Sequence, residues 1–317
     1  MDRFDGFPHV MRSQQFSRKW LEEKLFPLTD NMEKIFKHRG CDILKGKTMV
    51  CLFWEPSTRT RMSFEFAIDY LGGKVVFSTE NARQFSSGAK GETLAHTLEV
   101  INRYRPDVIV LRYDRDIGSE IAMDISKTPV INGGDRNPGQ HPTQGLLDLF
   151  TIKKRFGTVD GLTISMVGDL TNGRTVRSLC YLLGKFNGVS INLVSPDNAR
   201  MKDDVKEYLE KHEIAFKELS DLRQVAATSD VVYQTRTQKE CGSSIDRQDF
   251  SNGYFIVNKE IVDMTRQNAI IMHPLPIDGE ITSEVDNHQK AVYLTDQVDN
   301  GLFVRMALLK MILDPDS

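Results

Sequence analysis

The chain has 317 residues, 40% hydrophobic and 27% charged, which suits two domains of roughly 150 residues each and excludes a disordered or fibrous protein. Its 41 Lys and Arg against 44 Asp and Glu leave a net charge of -3 with no block of like charge. That balance excludes a broad surface for nucleic acid or an anionic membrane, so any bound anion needs a local site. No stretch of about 18 apolar residues occurs, and residues 1–19 carry Asp2, Arg3, Asp5, Arg12 and Arg18 without an apolar core. Neither membrane insertion nor secretion is expected, and the expected compartment is the cytoplasm. Cys41, Cys51, Cys180 and Cys241 form no C-x-x-C pair and no Cys/His spacing that builds a zinc site, so reduced thiols and no metal are expected.

In chain order, Phe16–His38 has helical apolar spacing. A strand at Thr48–Trp54, a helix at Thr58–Leu71, a strand at Lys74–Ser78 and a helix at Gly91–Tyr104 follow, then strands at Val108–Arg112 and Pro129–Asn132 and a helix at Pro142–Phe156. The second half reads as strands at Leu162–Val167, Ser190–Ser195, Val231–Thr235 and Ala269–Met272, with helices at Arg174–Phe186, Lys202–Lys211 and Gly301–Leu313. This alternation predicts an α/β protein of two doubly wound parallel-sheet domains, four strands in each half. No Pro/Gly/Ser-rich linker parts the halves, so Pro142–Phe156 is read as a stiff interdomain helix, with the active site in the cleft between domains. The expected division is 1–148 and 149–298, with a terminal helix in 299–317 packing back on the first domain.

Polar motifs recur where strands end. After Thr48–Trp54 comes Glu55-Pro56-Ser57-Thr58-Arg59-Thr60-Arg61, then a helix start. Unpaired N–H groups and partial positive charge at a helix N-terminus favour a compact anion, and two arginines interleaved with three hydroxyls exceed what a helix cap needs. Ser86-Ser87-Gly88-Ala89-Lys90-Gly91 is a pliable loop that can deliver Ser86 and Lys90 to an anion, although alone it reads as a solvated surface loop. In Gln140-His141-Pro142-Thr143-Gln144, Pro142 suits a helix start, His141 can donate to a carbonyl oxygen or cap the helix, and Gln144 lies one turn on. Gly168-Asp169-Leu170-Thr171-Asn172-Gly173-Arg174 resembles a dinucleotide loop only loosely, and Arg174 is read as a carboxylate ligand. Arg236-Thr237-Gln238-Lys239-Glu240 follows the strand Val231–Thr235. His273-Pro274-Leu275-Pro276 ends another as a rigid turn, able to hold a cis bond and to aim a carbonyl.

Together these motifs resemble the aspartate/ornithine carbamoyltransferase family. Ser57-Thr58-Arg59-Thr60-Arg61, His141-Pro142-Thr143-Gln144 and His273-Pro274-Leu275-Pro276 recur in its order, joined by the Lys90 loop, Arg174 and Arg236-Thr237-Gln238. The resemblance runs from about Gln14 to Leu313. The chain looks like the aspartate branch, because the ornithine branch usually has cysteine in both proline-containing motifs. Lys90, Arg174 and Arg236 are cations suited to a dicarboxylate.

The resemblance implies a carbamoyl phosphate-binding first domain and an aspartate-binding second domain. The implied reaction is carbamoyl transfer from carbamoyl phosphate to the α-amine of L-aspartate, in pyrimidine biosynthesis, with no cofactor. Ser57, Thr58, Arg59, Thr60, Ser86 and Lys90 would hold the phosphate. Thr60, Arg112 and His141 would polarise the carbonyl, making Arg59, Thr60, Arg112 and His141 the catalytic set. Gln144, Leu275 and Pro276 complete the carbamoyl phosphate site, while Lys90, Arg174, Arg236, Gln238 and Leu275 would hold aspartate. Glu55 and Glu240 are expected internal partners of the arginines. The family forms homotrimers whose Ser86 and Lys90 loop serves the neighbouring site, and the sequence leaves open a regulatory chain as a further partner.

The chain departs from the aspartate branch at Ile277, where Arg is common, at Cys241, where a basic residue is common, and at Ala89, often Lys. Ile277 keeps open a carbamoyltransferase for a different amino acid or amine. A nicotinamide-dependent oxidoreductase lacks its G-x-G-x-x-G spacing. A catalytically silent scaffold is opposed by intact Arg59, Arg112, His141 and Arg236.

Overall fold

The computed structural model describes residues 9–115, 118–136, 139–236 and 253–314. The chain divides into two units, Met1–Leu146 with Asn300–Ser317, and Leu147–Asp299. In the first, β1 (Thr48–Phe53), β2 (Lys74–Thr79), β3 (Val108–Arg112) and β4 (Val130–Asn132) form a parallel sheet in the order β2-β1-β3-β4. In the second, β5 (Thr163–Val167), β6 (Ser190–Val194), β7 (Ala215–Leu219), β8 (Val231–Gln234) and β9 (Ile270–Met272) are parallel in the order β7-β6-β5-β8-β9. Both are doubly wound α/β sheets. Each chain path runs outward from its first strand and then crosses to that strand's other side. The order therefore reverses between β1 and β3 and between β5 and β8, and the carboxyl ends beside such a reversal are where ligands of these sheets bind.

The central strands are buried and mostly apolar because both faces are covered. Val50, Leu52, Ile109, Leu111 and Val130 pack with Leu94 and Leu98 in the first unit, and Val167, Val194, Val232 and Ile271 pack with Leu222, Phe255 and Ile261 in the second. The two sheets share a device at the opposite edge. Asp107, just before β3, accepts the N–H of Thr48 at 2.8 Å, and Asp230, just before β8, accepts that of Thr163 at 2.8 Å. Each carboxylate pins the start of the first strand to the start of its neighbour across the reversal.

The second sheet has one strand more than the sequence pattern predicts. β7 is an edge strand with Ala215, Lys217 and Glu218 exposed; among the described residues it pairs only with β6, so it needs no apolar run. The helix Gly118–Ile125 is also unpredicted; eight residues opening on glycine are too short to show a period. The helix expected from Gly91 starts at Leu94, where Thr93 caps it by accepting the His96 N–H at 3.2 Å. The first helical stretch begins at Arg18 behind the Ser17 cap and holds a π-type turn, Leu21–Leu25, just before Pro27, which has no N–H to donate. The last helix, Asp296–Leu313, reaches the core of the first unit, with Phe303 5.4 Å from Phe36 and the Arg305 guanidinium 5.3 Å from the Phe64 ring.

No helix of the described residues is long and apolar enough to cross a membrane. Cys51 and Cys180 are free and buried. Burial pushes both thiols up, Cys180 to about 12, which withholds the reactive thiolate. A thiol reagent at mildly alkaline pH is expected to modify these two cysteines only after denaturation, as read by mass spectrometry. Rapid native labelling of either would contradict that burial.

Candidate active site

The loop after β1 leads through Trp54, Glu55 and Pro56 to Ser57, the residue ahead of the helix Thr58–Tyr70. Ser57 makes no side-chain capping bond, so the simple cap reading does not describe it. Thr58 donates to Glu80 at 2.5 Å, and Arg61 is engaged with Glu65 and Ser78, each at 2.9 Å. Arg61 is thus an ion-pair residue of the helix, while Arg59 is exposed in the first turn. Thr60 is buried, its Oγ1 3.3 Å from His141 Nε2.

Arg112 ends β3, adjacent to β1. The residue is only 7% exposed, and its guanidinium donates to Glu55 at 2.9 Å and to the Gly133 carbonyl at 3.1 Å. A guanidinium this buried requires such partners. Gly134 follows at φ +109°, where a Cβ would lie 2.7 Å from Arg112 Nη1 and 3.1 Å from His141 Cδ2. Only glycine lets the cation and the imidazole approach the same backbone. His141 is buried, its Nδ1 3.4 Å from Thr143 Oγ1, and Gln144 is buried in the first turn of the helix Pro142–Phe156. Thr60, Arg112 and His141, taken from separate segments, are brought together around Glu55 and Gly134.

Ser86 is turned to its own loop. It donates to the Ala82 carbonyl at 2.5 Å and accepts from Gly88 N at 3.2 Å, capping the 3-10 turn Ser87–Lys90. Lys90 is exposed, and among the described residues no contact joins it or Ser86 to Thr60, Arg112 or His141.

In the second unit, β5, β8 and β9 are neighbours, so the segments that follow them share one edge. Gly168, at φ +116°, has the Thr235 carbonyl where its Cβ would be, at 2.2 Å, and Thr235 N donates to the Val167 carbonyl at 2.8 Å. The Arg174 loop and the Arg236 segment are therefore in backbone contact. Asp169, fully buried, accepts from Asn172 N at 3.0 Å and shapes the turn ahead of Arg174, the first residue of its helix. After β9, His273 Nδ1 accepts from Leu275 N at 2.7 Å and Nε2 lies 2.7 Å from Glu280. Leu275 has φ +56° and a cis bond to Pro276, which is exposed. Gln238, Glu240 and Cys241 lie outside the described residues.

A family model described as aspartate/ornithine carbamoyltransferase, carbamoyl-P binding domain, matches residues 8–154, and one described as the Asp/Orn binding domain of the same family matches residues 160–312. The chain belongs to the aspartate/ornithine carbamoyltransferase family. It is 49% identical over 306 residues to a chloroplastic aspartate carbamoyltransferase of Arabidopsis thaliana, covering 96% of this chain and 77% of that one. The corresponding chloroplastic protein of Oryza sativa is 49% identical over 311 residues, covering 96% and 84%. A crystal structure of aspartate transcarbamoylase from Trypanosoma cruzi in complex with N-(phosphonacetyl)-L-aspartic acid matches with TM-score 0.88 at 36% identity, over 95% of this chain and 94% of that one.

These relatives overturn the expected cytoplasmic location, since both plant proteins are chloroplastic. The sequence criterion sought an apolar segment, whereas plastid transit segments are amphipathic and rich in Arg and Ser, so the lack of an apolar segment did not justify the cytoplasm.

Of the family departures, Ile277 packs beside Leu275 against the core of the second unit and Ala89 is exposed. Sequence reasoning missed Asp135. Its Oδ1 accepts from Gln140 N at 3.3 Å, its own N–H donates to the Gln140 carbonyl at 3.1 Å, and the Ser119 hydroxyl donates to its other oxygen. Asn132 completes the clamp by accepting Gly134 N at 2.7 Å. The Asn132-Gly133-Gly134-Asp135 composition, typical of a turn, was the available signal.

Burial raises the Asp135 carboxyl above its ordinary value, against hydrogen bonds from Ser119, Asn132 and Gln140 that lower it. The folded state thus holds this proton more tightly than the unfolded chain, in which a carboxyl titrates near ~3.9. Stability from this group is greatest below that pH and declines as pH rises toward the higher folded value. Urea unfolding between about pH 4 and about pH 7 should show wild type losing stability relative to Asp135→Asn as pH rises. Parallel pH profiles would refute the shift.

Proposed function

We propose that the chain transfers the carbamoyl group of carbamoyl phosphate to the α-amine of L-aspartate, giving N-carbamoyl-L-aspartate and phosphate, a step of pyrimidine biosynthesis. The observation that carries this reading is the convergence of Thr60, Arg112 and His141 in a chain that belongs to the family over nearly its whole length. Relatives named as aspartate carbamoyltransferases and a matching structure bound to N-(phosphonacetyl)-L-aspartic acid support the choice of acceptor.

In this reading the phosphate is held by Ser57, Thr58, Arg59 and Thr60 at the helix N-terminus, with Ser86 and Lys90 from the loop. Thr60, Arg112 and His141 hydrogen-bond the carbonyl oxygen and stabilise the negative charge that grows there as the amine attacks. Arg112 is already poised between Glu55 and the Gly133 carbonyl, so the cation needs little reorganisation. Gln144 and the Leu275-Pro276 turn hold the carbamoyl amide. Arg174, Arg236, Gln238 and Lys90 take the two carboxylates of aspartate, each arginine having a bidentate fork. The α-amine forms the new C–N bond, the C–O bond to phosphate breaks, and the departing phosphate accepts the amine proton. Holding two anions in attack geometry supplies much of the acceleration.

Arg112→Ala and His141→Ala should each lower kcat by about a hundredfold or more, the cost of ~3 kcal/mol for one lost oxyanion donor. Steady-state kinetics with carbamoyl phosphate and a panel including aspartate and ornithine tests the assignment. Near-wild-type turnover in both variants would remove these roles, and preferential transfer to ornithine would remove the substrate.

A homotrimer that shares sites through the Ser86 and Lys90 loop accompanies this reading. Its support is an apolar surface on the first unit: β2 is an edge strand with Val76 and Phe77 exposed, and Met62 and Phe66 are exposed on the helix Thr58–Tyr70. Sedimentation equilibrium should return a mass of three chains, with Phe77→Glu shifting it toward monomer. A fully active monomer would contradict it.

A further inference from the structure

We propose that Asp148, absent from the sequence-derived site, is a positioning residue whose buried carboxylate locks together the three segments that carry the acceptor-binding groups of the second unit. Asp148 lies in the helix Pro142–Phe156 and is 0% exposed. Its Oδ2 accepts from the hydroxyl of Tyr233 at 2.7 Å, and its Oδ1 accepts from Gln297 Nε2 at 2.7 Å. Tyr233 is itself fully buried. Burial first, and the Asp148 charge second, hold its hydroxyl well above the ordinary phenol range, so it remains a donor. The side chain of Thr175 lies within reach of the same hydroxyl and acts on it in the opposite sense, lowering it.

From this carboxylate the bonds reach each binding segment. Tyr233 is on β8, three residues before Arg236. Thr175 is the neighbour of Arg174 at the helix start. Gln297 Oε1 accepts the His273 N–H at 3.0 Å, and the His273 ring receives the Leu275 N–H at 2.7 Å. Because Nδ1 accepts there, the ring proton lies on Nε2 and is donated to Glu280. The ring is thereby fixed at both ends, with Leu275 held at φ +56°.

Only a carboxylate suits the hub, because it presents acceptors on both oxygens to two donors. An asparagine would turn an amide N–H toward one of them. A buried polar network with every member satisfied specifies one arrangement of the elements it joins, here those bearing Arg174, Arg236 and Leu275. The bonded residues lie in the second unit; because the Leu275 turn also serves the carbamoyl amide, the arm specific to the acceptor is Tyr233, which faces the segments of Arg174 and Arg236.

This inference rests on the proposed carbamoyl transfer to aspartate, so wild-type turnover is established first; its absence would sink that reading and leave nothing to position. Tyr233→Phe, which keeps the buried ring, and Asp148→Asn are then compared by steady-state kinetics and thermal unfolding. The apparent KM for aspartate should rise about 10-fold for Tyr233→Phe, the loss of one hydrogen bond, with the KM for carbamoyl phosphate within about twofold, and should rise further for Asp148→Asn. If Asp148→Asn does not fold, Tyr233→Phe and Gln297→Leu supply the comparison. A fall in melting temperature with the aspartate KM unchanged would assign a merely structural role and overturn the proposal. So would an equal rise in both KM values.

Discussion

A buried guanidinium organises the first unit. Arg112 cannot occupy the end of β3 without acceptors, and the sheet order supplies them from both sides: Glu55 after β1 and the Gly133 carbonyl after β4. Once the cation is fixed, its neighbours are constrained in turn. Residue 134 has no room for a side chain, His141 comes to rest against the same glycine, and Thr60 meets the imidazole from the helix after β1. Asp135 and Asn132 stiffen the turn that makes this possible. The demand for charge compensation at one residue thus translates into a preorganised set of donors.

The second unit reaches a comparable end by other means. Its arginines at 174 and 236 are half-buried instead of sealed in the sheet. Order there comes from neutral groups and one buried carboxylate: the backbone contact of Gly168 with Thr235, the Asp169 turn, and the network from Thr175 through Tyr233, Asp148 and Gln297 to His273. The contrast fits the ligands proposed for each. A developing oxyanion calls for donors fixed in advance, whereas a flexible dicarboxylate is suited by arginines nearer solvent on a rigid base.

Ile277 illustrates how a departure in a binding motif can be absorbed. Where the aspartate branch commonly has arginine, this chain turns an apolar side chain into the core beside Leu275. The turn keeps its shape because His273 and Glu280 hold its backbone, the imidazole receiving Leu275 N and the carboxylate receiving Asp278 N at 2.9 Å. Packing and hydrogen bonding together replace whatever an arginine would have contributed to the turn's support.

Apolar periodicity determined the parallel α/β class and the central strands, since a strand buried on both faces must be written as a short Val- and Ile-rich run. Motif composition at strand ends singled out Ser57 to Thr60, Arg112, His141, Arg174, Arg236 and the Leu275 turn as candidates, because loops at the carboxyl ends of parallel strands are where ligands of such sheets bind. Local sequence carries no such imprint of β7, an edge strand with half its surface in solvent, or of the eight-residue helix from Gly118. Nor could it tell Arg59 from Arg61, the second of which has Glu65 and Ser78 within reach. Asp148 was invisible for the same reason: a buried carboxylate acquires its role from donors far away in the chain, and only the tertiary structure brings those donors to it.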